Sequence, residues 1–321
     1  MKRLLPFTCN VKLTSYPYLA DYLSILESNG HDCTGIIFNN YIELFYKPWK
    51  GQIRFLNHLN LKSNLEITKF HYPLSCPIDF VIENINHNRY VIIVLKLDNI
   101  ILNGRNQVFN MHHNWLLYGY DSNKKIFNVA GYVSINGLNR YENFELSFSD
   151  FLLSLPQSDE ETNYQTNIMF NHLCSIKKAY SPEKINIEKI KHSIKRFVYK
   201  FPPLFYNGNI YSRLIFHIKL FSRSSFIPHN RSLLDMRDFR TLYENKLIIS
   251  EIINLFSTNK EIINGYKEVK SKTFSILLLV TRYNNNLSIE KKIKIQRIVV
   301  ERLKIIKKKE QYVLKKFLKE L

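Results

Sequence analysis

The sequence predicts an α+β protein of two domains, a mixed α/β domain at residues 1–178 and an all-α, basic helical domain at residues 179–321. Up to Tyr180, short runs with strand periodicity are mixed with short helical patterns, whereas later apolar residues recur at helical spacing over long stretches. The charge divides at the same place. Before Ser181 the chain has 16 basic and 15 acidic residues, and from Ser181 onward it has 30 and 12. Nearly all of the net charge of +19 therefore belongs to the second domain.

The elements of the first domain follow from periodicity. Tyr18–Glu27 places its apolar side chains on one helical face and ends at Asn29-Gly30, so a buried helix is predicted there. Strands are predicted at 36–38, 41–46, 65–70 and 90–97, and a helix at 77–86. The run at 90–97 is apolar at nearly every position, which is typical of a central strand buried on both faces.

A β-hairpin is predicted next. Two strand-like stretches, 113–120 and 125–133, flank Asp121-Ser122-Asn123-Lys124, whose residue types favour a tight turn. Ser149-Asp150 is predicted to cap a short helix that begins at Phe151, and an apolar element at 168–174 closes the domain.

Four helical patterns make up most of the second domain, at 181–198, 234–256, 259–282 and 288–321. Lysines and arginines surround the apolar stripe of the last one, which comprises Ile289, Ile293, Val300, Leu303, Ile306, Val313, Phe317 and Leu321. The pattern predicts a helical bundle with a basic exterior.

Composition and spacing exclude several classes of protein. Cys9, Cys33, Cys76 and Cys174 lie far apart without C-x-x-C spacing, which indicates neither a zinc site nor a disulfide framework. They are typical of reduced thiols, so we expect a cytoplasmic location. No apolar run approaches the roughly 20 residues of a membrane span, and no signal-peptide core follows the basic N-terminus.

Several stretches resemble a known family. One resemblance is carried by the run Val91–Leu97, which is followed by Asp98, by His113-x-x-x-x-x-Gly119-Tyr120-Asp121 and by a second strand. This order resembles the papain-like fold of the butirosin biosynthesis acyltransferase family, and more distantly that of bacteriocin-processing peptidases. Leu19-Ala20-x-x-Leu23-x-x-Leu26 up to Gly30, with the segment 36–46, is similar to the family's first helix and the segment after it. Leu242-Tyr243-Glu244-Asn245-Lys246 resembles a basic helical motif of relatives from nonribosomal peptide and polyketide clusters.

The resemblance implies a chemistry. In that family a cysteine accepts an acyl group from the phosphopantetheine arm of a carrier protein and passes it to an amine. The chain is accordingly expected to be an acyl- or aminoacyl-transferase of natural-product biosynthesis, such as antibiotic biosynthesis, with His113 as general base. An acidic acyl or peptidyl carrier protein and a small amine are the expected partners. The phosphopantetheine would be on the carrier protein, so this chain is expected to hold no cofactor and no metal.

The nucleophile is an open question, because the family's cysteine lies at the N-terminus of the first helix and this sequence has Ser15-Tyr16-Pro17-Tyr18 there. Cys9 and Ser15 are the candidate acceptors. A structural cysteine is the alternative for Cys9, and a helix cap is the alternative for Ser15.

The third member of the triad is also open. If Tyr120 pairs with Lys125 across the turn, His113 faces Tyr132 and the orienting residue should fall near Gly131, whose lack of a side chain leaves the imidazole unoriented. Since two triad positions are missing, the second hypothesis is a catalytically inactive papain-fold accessory or binding protein of the same kind of pathway.

The basic domain suggests a binding surface. Lys304, Lys308 and Lys315 are the candidate residues for attracting an acidic partner. A nucleic-acid-binding protein is a third hypothesis. The sequence disfavours it, because the basic residues are spread along every helix and no helix-turn-helix or zinc pattern occurs. A solvated basic face is the plainest alternative for these lysines.

Overall fold

The computed structural model describes residues 1–47, 52–56, 64–71, 74–96, 101–102, 105–106, 113–135, 138–156, 171–177, 181–199, 210–221, 234–284 and 287–321. It confirms a mixed α+β protein. The chain divides into an α/β unit, Met1–Asp32 with Leu61–Ser181, and a helical unit, Cys33–Asn60 with Pro182–Leu321. The sequence placed all of residues 1–178 in the first domain, whereas the segment Cys33–Asn60 belongs to the helical unit. Counted by unit, the helical part has 33 basic and 13 acidic residues, net +20, and the α/β part has net −1.

The α/β unit is built on one antiparallel sheet. Its strands are β1 Lys2–Leu4, β4 Leu65–Lys69, β5 Tyr90–Leu95, β8 His113–Asp121, β9 Ile126–Ile135, β10 Leu138–Ser147 and β11 His172–Ile176, and β6 Ile101–Leu102 pairs separately with β7 Arg105–Asn106. The order in the sheet is β10-β9-β8-β5-β11-β4, and β1 pairs with the end of β8. All six residues of β5 are buried, which confirms the predicted central strand.

Three helices accompany this sheet: α1 Pro17–Ser28, α3 Pro77–Asn86 and α4 Phe148–Leu153. Helix α1 has Pro at its first position, where no intrahelical hydrogen bond is lost, and it ends before Gly30 at a φ of 78°. Helix α3 has the bounds that the sequence predicted. For α4 the predicted cap was wrong, because Ser147 and not Ser149 accepts the hydrogen bond, from the backbone N–H of Asp150 at 3.0 Å.

The predicted hairpin forms, with a shifted register. Asp121 Oδ1 accepts hydrogen bonds from the backbone N–H groups of Asn123 and Lys124 at 3.0 and 3.2 Å, so this carboxylate stabilises its own turn. Tyr120 pairs with Phe127 rather than with Lys125, because Lys125 belongs to the turn with a φ of 53°. A bulge between Leu117 and Gly119 then shifts the pairing by one residue.

The helical unit contains α2 Thr34–Asn40, β2 Leu44–Lys47, β3 Gln52–Phe55, α5 Ile187–Tyr199, α6 Ile210–Phe221, α7 Met236–Phe256, α8 Lys260–Asn284 and α9 Ile289–Phe317. The strand predicted at 36–38 was wrong, since these residues lie in α2. Contacts within the unit explain the helix. A Cβ on Gly35 would lie 1.5 Å from the carbonyl oxygen of Glu183, and Asn39 Nδ2 donates to the carbonyl of Lys184 at 2.9 Å. Only glycine permits this approach of the two backbones.

A buried ion pair lies at the centre of the helical unit. Lys246 Nζ of α7 lies 2.9 Å from Glu310 Oε1 of α9, and neither side chain is exposed. Glu310 also accepts hydrogen bonds from the hydroxyls of Tyr211 on α6 and Tyr266 on α8. One carboxylate therefore joins four helices.

Helix α9 confirms part of the predicted apolar stripe. Val300, Leu303, Ile306, Val313 and Phe317 are buried, whereas Ile289 is 79% exposed and Ile293 is 42% exposed. The stripe therefore packs only from its middle onward. No helix in the described part of the chain has the length and apolar character required to cross a membrane.

Candidate functional site

The predicted catalytic residues lie before α1, in the case of Cys9 and Ser15, and at the start of β8, in the case of His113. The N-terminus of α1 differs from the prediction for Ser15. Tyr16 is the N-cap residue and makes no side-chain capping bond, so Ser15 is not the helix cap. Ser15 is 3% exposed, which leaves its hydroxyl almost inaccessible to a substrate.

Cys9 is half-buried and lies beside acidic groups. Burial, followed by the charges of Glu142 and Asp21, raises the pKa of the Cys9 thiol to about 12. A catalytic cysteine needs the opposite surroundings, a positive charge or a helix N-terminus that stabilises the thiolate. The structure therefore places Cys9 in a setting that keeps the thiol protonated.

Asp21, which the sequence did not single out, is the most unusual group near Cys9. It lies in the middle of α1 with 1% of its surface exposed, and the hydroxyl of Tyr141 donates to its Oδ1 at 2.7 Å. Burial raises the pKa of the Asp21 carboxyl to about 8, and the Tyr141 hydrogen bond opposes that shift. At neutral pH, Asp21 is mostly a neutral carboxylic acid.

Aromatic rings line the sheet next to Cys9. Phe7 stacks on Tyr118 of β8 at a centroid distance of 4.2 Å, and Tyr141 lies 5.6 Å from Tyr132 of β9 in an edge-on contact. Burial raises the pKa of the Tyr118 phenol, while a hydrogen bond from Asn143 opposes that shift. In the described part of the chain, the titratable groups that interact with Cys9 include the carboxyl groups of Asp21 and Glu142 and the phenols of Tyr118 and Tyr141.

His113 opens β8 as predicted and is held by other neighbours. It pairs with Leu95 of the central strand, and its ring lies 6.2 Å from that of Trp115 and 5.9 Å from that of Tyr132. Its Nδ1 donates to the backbone carbonyl of Asn114 at 3.2 Å. Within the described residues, no hydrogen bond or electrostatic contact joins His113 to Cys9.

Gly131 lies where the third residue of the triad was expected, and the ring of Trp115 covers it. A Cβ on this residue would lie 2.3 Å from Cε3 of Trp115, so the indole occupies the space of a side chain. Glycine is therefore required here by packing. Asp98, which was part of the family resemblance, lies outside the described residues.

A second histidine is buried in contact with α1. His172 of β11 is 5% exposed, and its Nε2 lies 3.1 Å from the hydroxyl of Tyr22. The sequence signal for both Asp21 and Tyr22 was a polar atom inside a helix that is buried all round, where every such group needs a partner. Periodicity placed Tyr22 on the apolar face of the helix without indicating a partner for its hydroxyl, and it did not mark Asp21.

The candidate partner-binding residues lie on α9, on the surface of the helical unit. Lys304, Lys308 and Lys315 are all exposed. Lys304 Nζ pairs with Glu301 at 2.6 Å, and Lys315 Nζ lies 6.0 Å from the ring centroid of Tyr199. They therefore share one solvent-facing side of the helix.

A metal centre is not indicated in the described part of the chain, since no three His, Cys, Asp or Glu residues there are arranged to hold an ion. Comparisons with protein-family models, with curated proteins and with solved structures found no match to this chain.

Proposed function

We propose that the protein is a non-catalytic, papain-fold accessory protein of natural-product biosynthesis that binds an acidic acyl or peptidyl carrier protein. The observation that carries the proposal is the setting of Cys9. Burial and the acidic neighbours raise the pKa of this thiol to about 12, so the thiolate is scarce at pH 7 and Cys9 is a poor acyl acceptor.

The arrangement of the α/β unit supports the papain-like part of the proposal. A buried first helix is followed by an antiparallel sheet, and a histidine opens the strand that leads into a tight hairpin. This is the order of elements in which the sequence resembles the butirosin biosynthesis family. The residues that would complete a triad are replaced by a protonated thiol and by a glycine covered by Trp115.

The charge distribution supports the partner. The helical unit has a net charge of +20, and the α/β unit is nearly neutral. Carrier proteins are generally acidic, and a strongly basic surface attracts such partners over distances beyond contact. Because salt screens this attraction, binding should weaken as ionic strength rises.

Acyl transfer is the second candidate function, and one observation favours it. Cys9, Asp21, Tyr118 and Tyr141 all have raised pKa values, and such groups cluster at active sites more often than elsewhere. In this case Cys9 would accept the acyl group, and binding of the carrier would have to change its surroundings first.

One experiment separates the two functions. The full-length protein and its Cys9→Ala variant are mixed with an acyl-loaded carrier protein, with and without an amine, and analysed by intact-protein mass spectrometry. The accessory protein should form no covalent adduct and should bind the carrier equally well in both forms, more tightly at 50 than at 300 mM salt. An adduct that disappears in Cys9→Ala would establish acyl transfer instead.

A further inference from the structure

The solvent face of α9 carries a straight row of basic residues. Between positions 294 and 319 the exposed charged residues are Lys294, Arg297, Lys304, Lys308 and Lys315 on this face of α9 and Lys319 in the turn that follows Phe317, with Glu301 as the single acid. At 1.5 Å per residue, the part of the row on α9 is about 32 Å long. The buried contacts of the helical unit do not account for this row.

The spacing along this row is regular. From Arg297 to Lys304, Lys308, Lys315 and Lys319, the intervals are seven, four, seven and four residues. Seven and four add to eleven residues, which make three helical turns at 3.67 residues per turn and keep the side chains close to one line along the helix. Along the helix axis, residues seven apart are therefore separated by about 10 Å and residues four apart by about 6 Å.

The lysines at the flank of α9 behave differently. Lys309 pairs with Glu268 at 2.5 Å and Lys316 with Glu261 at 2.7 Å, and both acids belong to α8. These pairs join the two helices. On the exposed row Lys304 pairs with Glu301, whereas Lys308 and Lys319 form no ion pair with any residue of the described ranges. The unmatched charge thus lies on the solvent face.

Two large side chains lie beside the row. Ile305 is 51% exposed and Tyr312 is 52% exposed, and they are seven residues apart on the same side of the helix. The Tyr312 hydroxyl donates to Glu261 of α8 at 3.2 Å, so this tyrosine also joins the two helices. Tyrosine is enriched at protein–protein contact surfaces. Anionic vesicles and duplex DNA would also be attracted by the charges, so both are competing ligands in the test below.

We infer that this row docks an acidic α-helix of the partner, lying along α9 with carboxylates at the same alternating spacing. A second helix repeats the rise and the period that place side chains seven and four residues apart on one line, so carboxylates at these intervals can lie opposite successive charges of the row. A strand rises about 3.3 Å per residue, so it would meet these charges after about three and two residues, on alternating faces. The inference rests on the proposed binding of an acidic partner and adds the shape of the segment that binds.

Two synthetic helical peptides of identical composition test the inference. In the first, four glutamates are spaced seven, four and seven residues apart, a pattern that matches the row in either direction. In the second they are five residues apart, which distributes them around the helix. Binding to the full-length protein is measured by fluorescence anisotropy at 50 mM salt. The matched peptide should bind at least about tenfold more tightly.

Two triple variants complete the test. K304E/K308E/K315E should lose at least about tenfold in affinity for the matched peptide. K69E/K96E/K124E changes the net charge equally on the α/β unit and should keep the affinity. Circular dichroism confirms that both fold. Equal binding of the two peptides, equal loss in the two variants, or tighter binding of duplex DNA or anionic vesicles than of the matched peptide would overturn the inference.

The outcome also separates the two proposals. If the carrier protein binds while the two peptides do not differ, the docking of a helix is wrong and the proposed function stands. If the matched peptide is preferred and acyl-loaded carrier forms an adduct through Cys9, the proposed function is wrong and the docking surface stands.

Discussion

Replacing Lys246 by methionine should destabilise the helical unit strongly. Methionine has a similar length and no charge, so the substitution removes the ammonium group and keeps most of the packing. Lys246 is fully buried, donates to Asn245 Oδ1 at 2.7 Å and lies 4.7 Å from the ring centroid of Phe197. Burial lowers the pKa of Lys246, and the neighbouring Glu310 opposes that shift.

The magnitude depends on the carboxylate that the substitution leaves behind. Glu310 remains at 0% exposure with two tyrosine hydroxyls and without its counter-ion, 2.9 Å away in the wild type. Breaking a buried pair by removing one partner costs about 3–5 kcal/mol. For a typical urea dependence this shifts the unfolding midpoint down by about 2 M.

The assay is urea unfolding followed by circular dichroism at 222 nm, which reports the helices. Lys246→Met and Glu310→Gln are compared with the double variant. In the double variant the side-chain oxygen of the introduced glutamine accepts from one tyrosine hydroxyl and its NH₂ group donates to the other, since the two hydroxyls face different carboxylate oxygens of Glu310. No buried charge is then unpaired, so the cost should be only about 1–2 kcal/mol. The single variants should therefore be far from additive.

Two results would refute this reasoning. One is a cost below about 1 kcal/mol for Lys246→Met, because a fully buried, unpaired carboxylate cannot be that favourable. The other is a double variant whose cost equals the sum of the two single variants, since the two side chains would then not act as a pair.

Three further predictions concern the α/β unit. Between pH 4 and 8, Asp21 should lower the free energy of unfolding by up to about 1.4 kcal/mol per pH unit as pH rises, because the folded carboxyl keeps its proton to about pH 8 and the unfolded one releases it near pH 3.8. In Asp21→Asn the urea midpoint should therefore depend less on pH across that range. The same pH dependence of the midpoint in both proteins would contradict the raised pKa. At pH 8, iodoacetamide should modify the exposed Cys76 well before Cys9, as peptide mass spectrometry would show, and the reverse order would contradict the raised pKa. Gly131→Ala should cost about 1–3 kcal/mol and alter the fluorescence of Trp115, because its Cβ would lie 2.3 Å from the indole; unchanged stability and emission would count against the packing.

Much of the fold could be predicted from the sequence because several patterns were long and unambiguous. The central strand at Tyr90–Leu95, helix α3 and the three long helices of the C-terminal part lie within a few residues of their predicted bounds. Short apolar runs were ambiguous. Residues 36–38 fit either a strand or a buried helix turn, and the contact of Gly35 with the backbone of Glu183, far away in the chain, accompanies the helix.

The candidate site was less predictable, because its properties depend on neighbours that are distant in sequence. Cys9 could be a nucleophile or a structural residue until its surroundings were known, and the carboxyls that raise its pKa belong to α1 and β10. Asp21 attracted no attention in the sequence because it interrupts an apolar pattern only once. Its burial, and the Tyr141 hydroxyl 120 positions away that donates to it, make it unusual.

The sequence by itself determined where the charge lies and which stretches are helical, since composition and periodicity are local properties that tertiary contacts seldom reverse. It placed Lys304, Lys308 and Lys315 on one basic helix, and the structure shows them exposed on one face of α9. Only the tertiary structure decided which charges are buried in pairs and which face solvent. Lys246 and Lys308 look alike in the sequence, but one is desolvated against Glu310 and the other is hydrated, because burial is set by elements that meet only after folding.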